Sequence, residues 1–290
     1  MGGGSWTTSS FTSYCTTTRG IDKSAISLDG SITATMSSQE MFKAKTIDNA
    51  LNPYNIMREC IDTEEHPNTI PVILALDVTG SMGKAAVEVA KKLNVVMTNL
   101  YDKVTDVEFL IMGIGDLACD RCPVQISQFE SDIRIAEQMD KVYFEYGGGG
   151  NAYESYTAAW YMGARHTKLD CWNRGKKGII ITMGDERINP YLPHERLNSV
   201  TGDRIQADID SKSLFDEVSE KYDIYHLDVD HGYRWDSGID ASWQSILDTE
   251  HYKKVTLETI ADTIVDIIVK ASESMSDVVV SINNNGEICW

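Results

Sequence analysis

The sequence predicts an α/β fold, a doubly wound and mostly parallel sheet with helices on both faces. Three observations carry the prediction. Continuous apolar runs, among them "TIPVILALD" at 69–77 and the strand of "KKGIIITMGDE" at 177–183, have the composition of strands buried on both faces. Between such runs, apolar residues recur at three- and four-residue steps, as at Ala86, Val89, Ala90, Leu93, Met97 and Leu100, the stripe of an amphipathic helix. The two patterns alternate along the chain, as a parallel sheet joined by crossovers requires.

In chain order, residues 1–35 read as a Ser/Thr-rich arm. Ten of the first 18 residues are Ser or Thr, and the isolated Trp6, Phe11 and Tyr14 cannot build a core of their own. Such an arm is expected either to stay disordered or to order by docking on a neighbouring subunit or partner. Residues 36–68 read as a partly helical linker closed by Pro67. The main domain spans 69–275. After the strand at 69–77 and the helix that follows it, a second strand covers 107–116, and "PVQISQFE" leads into a helix over 131–141. The run Gly147–Gly150 precedes a helix over 153–167, and strands follow at 177–183 and 222–230. Segment 187–221, with two prolines and many charges, reads as surface loop plus one helix near Leu214. A last helix presents Ile260, Ala261, Ile264, Ile268 and Ala271 on one face, and 276–290 form a C-terminal tail.

A chain of 290 residues suits one core with decoration. Its 44 acidic against 26 basic residues give a formal charge of −18, which argues against nucleic acid and anionic membranes as partners. "MGGGSWTTSS" lacks a positive start and an apolar stretch, so a cytoplasmic protein is the expectation. Six scattered cysteines do not resemble a disulfide scaffold. Cys119 and Cys122 have half of a zinc-ribbon spacing, and only His166 and Cys171 stand as partners for them.

The chemistry concentrates at "LALDVTGSMG", where a buried strand stops on a carboxylate. Ligands of open α/β sheets bind beyond the carboxyl ends of the strands, and Asp77, Thr79 and Ser81 at alternate positions present three oxygens to one spot. One carboxylate and two hydroxyls suit a hard cation such as Mg²⁺. The alternative is ordinary capping, with Ser81 or Thr79 serving the free N–H groups of the next helix. Two further loops are oxygen-rich: "GGGGNAYES" offers Asn151 and Glu154, and "TMGDE" offers Thr182 and Asp185.

With these three loops the chain resembles the von Willebrand factor A (vWA) family over residues 69–272, in particular a bacterial or phage subgroup. The family has a Rossmann-like sheet and a metal-ion-dependent adhesion site built from an Asp-x-Ser-x-Ser strand end, a Thr and a further Asp. "DVTGS" matches the strand end, with Thr79 in place of a Ser. The second loop has Asn151 and Glu154 near the Thr position. In the third, Met183 holds the Asp position and the carboxylate moves to Asp185. The resemblance implies metal ligands among Asp77, Thr79, Ser81, Asn151, Glu154 and Asp185, and a Mg²⁺ ion, or Mn²⁺ or Ca²⁺. It implies a non-catalytic module that engages a partner protein's Asp or Glu through that ion. Some members work beside AAA ATPases of the MoxR type.

Two other function classes are weighed. "DVTGS" also resembles the strand end of HAD-like phosphatases and P-type ATPases, with Asp77 as nucleophile and Lys176 or Lys177 as the lysine, but Val78 stands at that group's Lys position. A structural assembly component, as a homo-oligomer or within a larger assembly, would instead use the N-terminal arm. No nucleophile–His–acid set is legible. His166 near a helix end and His226 within an apolar strand read as structural, and Asp228 and Asp230 as the end of that strand. Trp160, Tyr156 and Tyr161 read as core and rim packing.

Overall fold

The computed structural model describes residues 4–146, 151, 153–230, 232 and 236–276, so the glycine run 147–150 and the tail from 277 onward lie outside the described residues. One six-stranded sheet organises the chain: β1 (Ile70–Asp77), β2 (Val107–Ile114), β3 (Val124–Ile126), β4 (Gly178–Gly184), β5 (Tyr222–Asp230) and β6 (Tyr252–Thr256). Their spatial order is β6-β5-β4-β1-β2-β3, and only β3 runs antiparallel to its neighbour. This is the doubly wound order, in which the chain reverses direction between β1 and β4 and opens a crevice at their carboxyl ends.

Around the sheet pack α1 (Thr8–Thr17), α2 (Gly83–Tyr101), α3 (Arg134–Met139), α4 (Thr157–Arg165), α5 (His194–Thr201), α6 (Ser211–Val218), α7 (Ile239–Gln244) and α8 (Ile260–Ser276). Strand side chains alternate between faces, which explains why β1 is apolar without interruption. Val72, Leu74 and Leu76 join a core with α1, α2, α3 and α8, while Ile73 and Ala75 join a second with α4, α5, α6 and α7. Among the described residues no helix is long and apolar enough to cross a membrane.

The N-terminal segment departs from the expectation of a free or trans-docking arm. Thr7 caps α1, and Phe11 and Cys15 are fully buried in the core shared with α2. The Trp6 indole donates to Asn94 at 2.8 Å, and Arg19 grips Asp140 through two bonds of 2.8 and 2.6 Å. The linker is less helical than expected: two short capped turns, Ser38–Met41 and Asn49–Leu51, precede a strand, Arg58–Cys60, that pairs with Thr167–Leu169. Segment 187–221 is more ordered than a surface loop. It holds α5 and α6, and Leu192, Leu197, Leu214 and Val218 within it are fully buried. The helix expected from 153 begins at Thr157, because Tyr153–Glu154 pairs in parallel with Arg187–Ile188.

Candidate metal centre

β1 carries Asp77 to the carboxyl edge beside the crevice, where it is 1 % exposed. Its two oxygens are held separately. Oδ1 accepts the Thr79 N–H at 2.8 Å and the Thr79 hydroxyl at 2.6 Å, and Oδ2 accepts the Tyr156 hydroxyl at 2.8 Å. Tyr156 reaches this point because β4 ends on Gly184, where a Cβ would overlap the tyrosine hydroxyl. Ser81 Oγ lies 3.2 Å from Asp185 Oδ1 and donates to it, joining the first loop to the third. Neither hydroxyl caps α2, whose N-cap is Met82 with no side-chain bond, so the capping alternative fails.

Glu154 arrives from the second loop on its two-residue strand. It is 7 % exposed, and its Oε2 is buried with no hydrogen-bond partner. Burial, followed by the carboxylates of Asp77, Asp120, Asp116 and Glu186, pushes its pKa far above the ordinary carboxylate range. Asp77 is pushed up to about 7 by burial and then by Asp185, against the bonds from Thr79 and Tyr156 that favour its charge. These carboxylates sit closer together, and deeper, than their charges favour.

Of the six sequence-predicted residues, Thr79 bonds Asp77 and Ser81 bonds Asp185 across two loops, and Glu154 lies within the electrostatic reach of Asp77 without a direct bond to it. Asn151 does not make a direct contact with them. Its Nδ2 donates to Asp116 at 2.6 Å and its Oδ1 accepts the Tyr153 N–H, which fixes the amide in its own turn. Sequence reasoning missed Tyr156 and Asp116. Tyr156 looked like helix packing, and only its position two residues after Glu154 signalled otherwise.

The side chains gathered here offer only oxygen donors, the class that a hard cation takes. Among the described residues no three or more His, Cys, Asp or Glu side chains have metal-holding geometry, so hydroxyls and water would complete any shell. Mg²⁺ tolerates that composition. The alternative sets do not assemble. His166 lies against the Ile56 carbonyl and Asp203, and Cys171 is fully buried while Cys119 is exposed. Lys176 and Lys177 precede β4 and so sit at its amino end, a strand length of roughly 20 Å from the edge that holds Asp77. Beneath the site, His226 stacks on Trp243 with centroids 3.5 Å apart and meets the Thr182 hydroxyl at 2.8 Å. Its Nε2 has no hydrogen-bond partner, and burial pushes its pKa well down.

No protein-family model and no curated protein matches the chain. Among solved structures it is similar to the pilus adhesin SpaC from Lactobacillus rhamnosus GG in its open conformation, at 12 % identity over 75 % of this chain and 31 % of that one, with a TM-score of 0.45. It is also similar to the vWF domain of the type V pili tip protein Mfa5 from Porphyromonas gingivalis, at 11 % identity over 73 % and 98 % of the two chains, with a TM-score of 0.48. A third similarity is to proximal thread matrix protein 1 from the mussel byssus, at 14 % identity over 70 % and 46 %, with a TM-score of 0.42. The chain spans about a third of the length of SpaC. The fold itself is defined by the strand order rather than by these distant likenesses.

Proposed function

We propose that this chain is a non-catalytic protein-recognition module of vWA-like design, in which the Asp77 and Glu154 carboxylates, with the Thr79 and Ser81 hydroxyls and water, hold a divalent cation that a partner's Asp or Glu carboxylate completes, while Asp185 stands beside it on Ser81. The observation that carries the reading is Glu154: a buried carboxylate oxygen without a partner, within the electrostatic reach of Asp77, which ends its strand beside the topological switch point. A cation there would offset the repulsion among Asp77, Glu154 and Asp185. With few charged ligands it would remain under-neutralised and attract an incoming carboxylate. Mg²⁺ is the first choice, with Mn²⁺ and Ca²⁺ as substitutes.

A phosphotransfer reading has less support, since Asp77 is enclosed by Thr79 and Tyr156 and the lysines lie at the far end of β4. An assembly built on the arm has less support as well, because Trp6 and Phe11 are buried in the chain's own core and Tyr14 packs against it. The test is capture of partners from native extract with Mg²⁺ and with a chelator, using wild type and Asp77→Ala. The reading expects the same proteins to be lost on chelation and on mutation; capture indifferent to both overturns it.

A further inference from the structure

A cavity of about 640 Å³ opens beside the strand-end cluster, within the size range of ligand sites. It lies between the loop after β2, the second loop and α5, and Asn151 belongs to its wall. Tyr153, the neighbour of Glu154, and Tyr191, which is 49 % exposed, supply aromatic surface. Asp116 is 5 % exposed in the wall. Its carboxylate accepts from Asn151 at 2.6 Å and from the Ala118 N–H at 2.9 Å, with the Ser155 hydroxyl at 3.4 Å, and it makes no ion pair among the described residues. Glu195 adds a second carboxylate at the rim. Arg196 is the one cation of the lining, and its guanidinium is turned to the Leu117 and Asp120 carbonyls at 3.2 and 2.7 Å.

A buried carboxylate held only by neutral donors, beside two tyrosines, is a receptor for a cation on an apolar stem. The charge of the whole chain points the same way: at −18 it repels a partner that offers carboxylates alone. We propose that this cavity receives an Arg or Lys side chain of the partner, standing beside the Asp or Glu that completes the cation site. The partner segment is thus zwitterionic rather than acidic. This rests on the recognition reading above and names its partner chemistry. Asp116 and Glu195 supply the charge, and Tyr153 and Tyr191 flank the stem.

The test uses N-acetyl-arginine methylamide as probe and the isosteric, uncharged N-acetyl-citrulline methylamide as control, followed by amide NMR shifts of the full chain. The expected result is that the arginine probe moves the Leu117, Tyr153 and Ser155 amides with or without Mg²⁺, while the citrulline control does not. Asp116→Asn should weaken the arginine probe by roughly fivefold, the scale of one ion pair. Tyr191→Ala, at an exposed rim position that leaves the fold intact, should weaken it by a similar factor. Equal response to both probes, no response to either, or arginine binding unchanged in Tyr191→Ala overturns the proposal. In the same samples the Ser81 and Asp185 amides read Mg²⁺ separately. Mg²⁺ binding without arginine binding sinks only the basic-side-chain inference, and the reverse result sinks the cation site.

Discussion

Replacing Asp77 with Asn should stabilise the cation-free protein at alkaline pH while abolishing its response to Mg²⁺. Asp77 rises from an ordinary 3.8 to about 7, because it is buried and faces Asp185. The unfolded chain releases this proton near 4 and the folded chain holds it to about 7. Between those values the folded state binds more protons, so stability falls as pH rises. Three pKa units at about 1.4 kcal/mol each make the penalty on the order of 4 kcal/mol above pH 7. Asn removes the charge and keeps an oxygen for Thr79, but it cannot accept the Tyr156 hydroxyl, which returns about 1 kcal/mol. The net expectation at pH 8 in chelator is a gain of about 3 kcal/mol, shrinking to below about 1 kcal/mol by pH 5. Urea unfolding at both pH values, with chelator and with Mg²⁺, measures it. Mg²⁺ should stabilise only the wild type, and chiefly at pH 8. A variant equally destabilised at both pH values would refute the reasoning.

Tyr156→Phe should destabilise by about 1–2 kcal/mol at pH 8, where Asp77 is ionised and loses a donor, and by less at pH 5, as read by the same unfolding curves. His226 carries the opposite slope: the folded chain keeps it neutral, while the unfolded chain protonates it near 6.5, so stability falls as pH drops through that value. His226→Phe, which preserves the stack on Trp243, should remove about one proton, or about 1.4 kcal/mol per pH unit, from the acid limb. Arg19→Ala should cost about 3 kcal/mol by leaving the partly buried Asp140 without its cation, and thermal unfolding should show that loss as one shifted transition rather than a detached arm.

What the sequence made legible follows from how local each signal is. The strands β1, β4 and β5 and the helix α2 are written as contiguous runs or stripes, because each buries a whole face. The N-terminal segment is not legible because its partners are distant in sequence: Trp6 needs Asn94, and Arg19 needs Asp140. Segment 187–221 hides its structure because a few leucines, Leu192, Leu197 and Leu214, fill the core from an otherwise charged stretch. The site divides the same way. Asp77, Thr79 and Ser81 are neighbours in sequence, and Asp185 follows a readable strand end. Tyr156 and Asp116 gain their roles only when separate crossovers converge, Tyr156 through the gap at Gly184 and Asp116 through Asn151.

The claim beneath the account is that the carboxylates of Asp77 and Glu154 share one divalent ion. Electron paramagnetic resonance of Mn²⁺ titrated into the full chain tests it most directly. The account predicts one bound Mn²⁺ per chain, displaced by Mg²⁺ and lost in both Asp77→Ala and Glu154→Gln. A wild type that leaves all Mn²⁺ free, or binding that survives in both variants, would contradict it.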